Sequence, residues 1–586
     1  MRSAMKTDRP APSRLLPSAG YARARAWLPA LPAVLFLAIF FLVPVAEILR
    51  GGFVSADGAL TAAQLNRIAA SPVYAKVLWS TFWISGLTAL ICVVAGYPVA
   101  YLLAQLGGRA RDRWLLWIML PFWTSYLVKT YAWMLLLSQS GALTALARAL
   151  GLLGGDASIV PSLAGVLIGM VHALLPLAVM TMLPIMQGIQ QSLGQAAETL
   201  GAGPATRFFT VFLPLSAPGI AAAGLLVFIT TLGFFIVPAL LGSPRETMVA
   251  QLVIASVLEL FDLRLAGALS ALLLLCSIVV FYVYDRLAGL SSLAGEAPRR
   301  RGASGRMMGL LIALGRLADP LARTASRMRA ARPLRLYTLG VVAVLVLPVV
   351  IVIPIAFTRS SFVSLPPQGF SLQWFETFLS SPVWRAAFMR SFTVGFSTAA
   401  LALALGFGAT YALTRLSSRW AKPLFALFIA PLIVPRIVVA IGLLYLFARL
   451  GLTGTDAGLV IGHTVLALPY VVVTLSAGFK RFDWRLVDAA QILGASPWAR
   501  LRTVMLPMLA PSLISAFLFA FVVSFDDLTV AIFVSGGLNT TLPKQMWDDI
   551  QLAVTPTLAA VSTALVVVVA LVIAVSSYLK SRNDHS

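Results

Sequence analysis

About twelve stretches of this chain approach or exceed the roughly 20 apolar residues that a helix needs to cross a bilayer. They fall near residues 28–49, 76–105, 114–138, 158–184, 216–241, 264–286, 336–357, 386–414, 423–448, 458–479, 510–534 and 557–579. Such a sequence predicts an all-α polytopic membrane protein. Of its 586 residues 60% are hydrophobic and only 11% charged, against about a quarter charged in soluble domains. That deficit excludes an ordinary soluble enzyme, and the high hydrophobicity excludes disorder. The first run has no small-residue cleavage site behind it, so it reads as a retained span rather than a signal peptide.

The net charge of +23 would point to nucleic acid in a soluble chain. Here the placement of the basic residues supplies another reason. With both termini in the cytoplasm, most of the 44 Lys and Arg fall in inside segments. The largest groups run from Arg2 to Arg25, from Arg286 to Arg335 and from Lys480 to Arg502. This is the positive-inside bias of a multi-pass inner-membrane protein, and its partners are membrane lipids, with no nucleic acid. Cys92 and Cys276 lie within apolar runs and read as small core residues. His172, His463 and His585 form no HExxH arrangement, so neither a metal site nor catalytic residues are expected. No Lys follows a Gly, which rules out a phosphate loop ending in Gly-Lys. If the chain moves a solute using ATP, the ATP and magnesium are bound by another chain, and no cofactor is expected in this one.

The chain repeats itself. Ser71-Pro72-Val73 returns as Ser381-Pro382-Val383, and Gly96, Tyr101, Arg109 and Pro121 return as Gly406, Tyr411, Arg419 and Pro431. Further on the spacing shortens, and Gly169, Leu175, Pro176 and Thr181 match Gly462, Leu468, Pro469 and Thr474. The change fits extra length in an outside loop of the first half, around residues 138–158. Residues 195–218 (QAAETLGAGPATRFFTVFLPLSAP) align with 488–511 (DAAQILGASPWARLRTVMLPMLAP), with 13 of 24 positions identical. Six spans per repeat keep the halves in the same orientation, with a pathway between them. The organisation expected is a basic cytoplasmic N-terminus (1–27), a first repeat (28–288), a basic cytoplasmic linker (289–335), a second repeat (336–579) and a cytoplasmic C-terminus (580–586). Within the linker, residues 307–328 predict an amphipathic helix lying on the inner leaflet.

The duplicated stretches, 195–214 and 488–507, fall on the cytoplasmic side between the fourth and fifth spans of each half. An Ala-Ala pair, a Gly and a later Leu-Pro read as helix, turn, helix, with Gly201 or Gly494 at the turn. Two such projections suit a partner with two equivalent grooves.

These segments resemble the EAA loops of ABC importer permeases, and the resemblance extends over about 71–286 and 381–579. The first half is similar to the first permease of spermidine/putrescine importers in Leu120-Pro121-Phe122-Trp123-Thr124, Leu213-Pro214-Leu215-Ser216 and Leu240-Leu241-Gly242. The second half is similar to their second permease in Leu468-Pro469-Tyr470-Val471-Val472-Val473, Ser524-Phe525-Asp526-Asp527 and Thr541-Leu542-Pro543. The resemblance implies the type I importer permease fold with both permeases fused in one chain. It also implies two cytoplasmic ATPase subunits, seated on Gln195, Ala196, Ala197 and Gly201 and on Asp488, Ala489, Ala490 and Gly494. A soluble periplasmic or lipid-anchored binding protein would deliver an amine-containing solute of the polyamine class. Gln195 and Asp488 replace the motif's first Glu. Arg436, after Pro435, stands where the second permease usually has an acidic residue, and a guanidinium there disfavours a polycation.

For the solute path the sequence offers Asp526, Asp527, Arg436, Lys129, Trp123 and Tyr126. A carboxylate at the membrane centre costs on the order of 3 kcal/mol or more, so it faces a cavity or a partner. Asp526 and Asp527 read either as attraction for an amine or as a structural pair neutralised by Arg436 or Lys129. Trp123, Tyr126, Tyr131 and Trp133 read as rings that hold a cation or as packing and anchoring residues. Glu259, Asp262, Asp548 and Asp549 fall in outside loops. The mixture of charges leaves open a zwitterionic or anionic solute (an aminophosphonate, an opine-like compound) or ferric iron. A secondary transporter of the major facilitator type also has six plus six spans, but its loop motif fails after Asp112-Arg113.

Overall fold

The protein is described by a computed structural model covering residues 27–288, 305–327 and 331–583, except 55–56, 155–156, 362–365, 417, 538 and 553–554. The basic N-terminal group, linker residues 289–304 and 328–330 and the last three residues lie outside the described residues. The principal helices of the first half are α1 Leu28–Phe53, α2 Pro72–Gln105, α3 Gly108–Trp123, α4 Tyr126–Leu137, α5 Leu163–Gln187, α6 Gln191–Thr199, α7 Pro204–Leu232, α8 Ile236–Leu241 and α9 Leu263–Ala288. The linker forms α10 Gly305–Arg327. In the second half follow α11 Ala331–Ala356, α12 Pro382–Arg415, α13 Ser418–Ile433, α14 Arg436–Leu450, α15 Asp456–Arg481, α16 Arg485–Ile492, α17 Pro497–Phe525, α18 Thr529–Val534 and α19 Pro556–Asn583. Each helix of the first half thus has its counterpart ten labels later.

The repeated tripeptides start the longest helices. Ser71 and Ser381 are the residues before α2 and α12, and Pro72 and Pro382 occupy the first turn, where a missing N–H costs nothing. The two halves interlock. Helix α1 packs on α12 and α14, and α11 packs on α2, α3 and α4. Small residues allow this closeness: a Cβ on Gly442 would lie 2.8 Å from the Pro44 carbonyl oxygen, and one on Gly408 would strike that of Pro29. Polar ties also join the halves, with Arg449 paired to Glu47 at 2.5 Å and the His172 ring of α5 bonded to the Leu345 carbonyl at 2.9 Å.

Among the described residues nine helices are long and apolar enough to cross a membrane: α1, α2, α5, α7, α9, α11, α12, α15 and α17. The broken pair α13–α14, bent by 95°, makes a tenth. The sequence predicts twelve, and two of those runs are broken within the membrane segment. The third apolar run is two helices, α3 and α4, parted at Thr124-Ser125, and the ninth is parted at Val434-Pro435. Neither piece is long enough alone. The twelfth run forms one continuous helix, α19, of 28 residues. The fifth and eleventh runs also break, at Gly233–Phe235 and Asp526–Leu528, before the short helices α8 and α18.

The linker helix α10 forms where amphipathicity places it, but its contacts differ from those expected of a helix resting only on lipid. Gly315 and Asp319 are buried against the start of α7, while Leu310, Leu314 and Leu317 stay exposed. The first half's extra length holds a short helix, Ala142–Ala149.

Candidate functional site

All four helix breaks meet at one cavity of about 180 Å³ between the halves. Twelve of its twenty lining residues fall in equivalent pairs from the two repeats: Phe122 with Leu432, Tyr126 with Arg436, Leu177 with Tyr470, Gly233 with Asp526, Phe235 with Leu528 and Ile236 with Thr529. Unwound backbone inside a membrane protein is tolerated where it lines a cavity, and such discontinuous helices mark solute sites in transporters.

The chemistry of the pairs is not symmetric. Asp526 Oδ1 accepts a hydrogen bond from the Tyr126 backbone N–H at 3.2 Å, so a carboxylate of the second half caps α4 of the first. At the equivalent place Gly233 faces the start of α14, where an added Cβ would lie 3.4 Å from the Arg436 nitrogen. One side of the cavity therefore carries Asp526 over a helix start. The other carries a bare glycine over a helix start whose first residue is Arg436. The Arg436 guanidinium reaches the Tyr470 hydroxyl at 3.5 Å.

The remaining residues of the expected path lie elsewhere. Asp527, 1% exposed, accepts from the Val530 N–H at 2.8 Å and thereby caps α18. Its carboxylate also lies 3.5 Å from His463 Nε2, while His463 Nδ1 bonds Ser524 Oγ at 2.8 Å. Lys129 is buried, donates to the Pro121 carbonyl at 3.0 Å and stands 4.2 Å from the centre of the Tyr126 ring. This cation thus closes the C-terminal end of α3. Trp123 packs on Phe519 with ring centres 4.7 Å apart. Tyr131 donates to the Thr555 carbonyl, and Trp133 stacks edge-on with His172. Of the four acids expected in outside loops, Asp262 pairs with Arg67 at 2.7 Å and Asp548 with Lys544 at 2.6 Å. Sequence reasoning missed Phe122 and Tyr470 as cavity walls and His463 as the partner of Asp527. The repeat spacing was the signal for Tyr470, which replaces Leu177.

The duplicated loops have closely matching geometry. Gly201 and Gly494 adopt φ of +86° and +84°, the left-handed conformation that ends a helix. Ala202 N–H bonds the Ala197 carbonyl at 3.0 Å and Gly201 N–H bonds that of Glu198 at 2.9 Å. The second loop repeats the pattern, from Ala495 to Ala490 at 2.9 Å and from Gly494 to Gln491 at 3.0 Å. This double bond is the Schellman motif, which fixes the alanine and glycine spacing. Arg207 then bonds the Glu198 side chain, and Arg500 bonds that of Gln491, tying each loop helix to the span that follows. Gln195, Ala196, Asp488 and Ala489 are exposed, and Ala197 and Ala490 are half-buried. Leu200 and Leu493, beside the two glycines, are each 87% exposed.

Residues 96–292 and 402–584 each match the pattern of the family described as binding-protein-dependent transport system inner membrane component. The chain is 31% identical over 245 residues to the spermidine/putrescine transport system permease protein PotC of Haemophilus influenzae, covering 42% of this chain and 95% of that one. It is 30% identical over 262 residues to PotB of the same organism, covering 43% and 91%. PotC of Escherichia coli is 32% identical over 244 residues, covering 42% and 92%. A chain from a bacterial ABC transporter involved in import of the acidic polysaccharide alginate aligns with a TM-score of 0.38 at 17% identity, over 46% of this chain and 97% of that one.

Proposed function

The chain belongs to the family of binding-protein-dependent transport system inner membrane components, whose unit it carries twice, and on that premise we propose that its two repeats together form the path of an importer for a polyamine-like cation. It is a multi-pass inner-membrane permease of the ABC importer class. Residues 28–288 and 336–579 act as the two permeases, with both termini in the cytoplasm. The observation that carries the solute is Asp526, whose carboxylate lines the cavity beside the rings of Phe122, Tyr126, Phe234 and Tyr470. A carboxylate supplies charge and aromatic faces attract ammonium groups. The relatives named for spermidine and putrescine support the same class.

The loops at Gln195, Ala196, Ala197 and Gly201 and at Asp488, Ala489, Ala490 and Gly494 seat two ATPase subunits, which bind and hydrolyse ATP with magnesium. A soluble or lipid-anchored binding protein delivers solute from the opposite face. Closing of the ATPase pair draws the loops together and turns the halves outward, and reopening releases solute inward. The helix breaks supply the joints, since backbone without a continuous i to i−4 ladder bends without breaking a span.

Arg436 favours a second reading. A guanidinium in the same cavity as Asp526 suits a solute carrying an acid as well as an amine, such as an aminophosphonate or an opine-like compound. ATPase stimulation of the chain purified with its ATPase and binding protein separates the two. The polyamine reading expects stimulation by spermidine or putrescine. Stimulation by the zwitterions alone would replace it with the second reading.

A further inference from the structure

The two loops differ at one capping position, and the linker compensates for it. In the second loop Ser496 precedes α17, and its hydroxyl accepts from the Ala499 N–H at 3.2 Å, an ordinary N-cap. The equivalent residue before α7 is Gly203, which has no side chain to offer. The cap comes instead from Asp319 on the linker helix α10. Its carboxylate, 7% exposed with its residue, accepts from Ala205 N at 2.8 Å, Thr206 N at 3.1 Å and Thr206 Oγ1 at 2.6 Å.

Two glycines make the approach possible. A Cβ on Gly203 would occupy the place of the Asp319 carboxylate, and one on Gly315 would lie 2.6 Å from the Thr206 Cα. Helix and loop then enclose a groove of about 510 Å³. Ala197, Leu200 and Gly201 form one wall, and Ile312, Arg316 and Pro320 form the other. The first wall is the surface already assigned to ATPase docking, so a subunit seated there meets α10 as well.

We propose that the linker helix α10 is part of the first docking site. An ATPase subunit enters the groove between α6 and α10, and Asp319 is the latch that holds the groove together. Among the described residues the second site has no such helix beside its loop, so the two sites are not equivalent. This inference rests on the docking role given above to the two loops.

The test uses the full chain in membranes with its ATPase and binding protein. A photo-cross-linking phenylalanine analogue replaces Leu200, Leu493 or Arg316 in turn. The expected result is capture of the ATPase from all three positions. Capture from Leu200 and Leu493, with Arg316 yielding only lipid or nothing, would overturn the composite site and leave the docking role of the loops intact. Capture from none would overturn the docking role itself, and the inference with it. Asp319→Ala and the double variant Gly203→Ser/Asp319→Ala provide a second measurement. The double variant recreates the cap of the second loop without the latch. Both variants are expected to lose solute-stimulated ATPase activity severalfold while capture from Leu493 persists. Recovery of activity in the double variant would reduce Asp319 to a helix cap and overturn the proposal.

Discussion

The carboxylate of Asp526 caps the helix that begins at Tyr126, 3.2 Å from its backbone nitrogen, although 400 residues separate the two. The contact joins the repeats at the cavity and gives one side chain two tasks, closing a helix end and presenting charge to solute. Its counterpart, Gly233, which faces the start of α14, does neither.

The two tasks separate by substitution. Asp526→Asn keeps a carbonyl oxygen for the Tyr126 N–H and removes the charge, whereas Asp526→Ala removes both. Ser125 remains as the helix's own N-cap, but an inward N–H left without its acceptor costs about 1–3 kcal/mol, so thermal unfolding in detergent should register only the alanine variant. Uptake of an amine solute should fall in both, by about tenfold or more for each ~1.4 kcal/mol of lost attraction. Unchanged uptake in Asp526→Asn would leave the residue with the capping task alone.

Asp527 should behave differently. It caps α18, faces His463 and stays outside the cavity lining. Asp527→Ala strips a buried N–H of its acceptor, at a cost of about 1–3 kcal/mol. A lowered unfolding temperature with an unaltered order of preference among solutes is expected. A changed preference at unchanged stability would contradict this assignment.

At Gly201 and Gly494 a side chain meets open space, so the penalty of substitution comes from the backbone alone. A left-handed conformation costs a non-glycine residue roughly 1–2 kcal/mol, and Asn visits it more readily than other residues. Gly201→Val and Gly494→Val should therefore reduce ATPase co-purification more than the corresponding Asn variants, with membrane insertion intact. Equal loss in Val and Asn variants would point to surface contact rather than turn geometry.

Arg436→Gln removes the cavity's guanidinium. For a polyamine this relieves like-charge repulsion, so the KM for spermidine uptake should fall or hold steady. Loss of transport would instead show that Arg436 holds an acidic group of the solute.

The repeat was legible before the fold, and the pairing of Tyr126 with Arg436 and of Gly233 with Asp526 follows from its spacing. The helix breaks were not legible. Hydropathy sums across Thr124-Ser125 without registering the missing hydrogen bonds, and proline is a poor guide. Pro98, Pro176 and Pro469 sit within continuous helices, whereas Pro435 stands at a break. The sequence marks Lys129 as a charge within a span, but not the Pro121 carbonyl and Tyr126 ring on which its ammonium rests. The latch at Asp319 was hidden for a similar reason. The sequence shows Gly203 in place of Ser496, but the replacement cap arrives from a helix more than a hundred residues away. The amphipathic pattern of 307–328 predicts a helix, yet it cannot say which face meets protein.

The central claim is that one chain forms the whole path for a polyamine-like cation, with Asp526 at its centre. Uptake of radiolabelled spermidine into proteoliposomes tests it most directly, using the chain, its ATPase and its binding protein, with ATP inside. The account predicts ATP-dependent accumulation that is lost in Asp526→Asn and persists in Asp527→Asn. Failure to accumulate spermidine, in proteoliposomes that do accumulate an aminophosphonate or an opine-like compound, would contradict it.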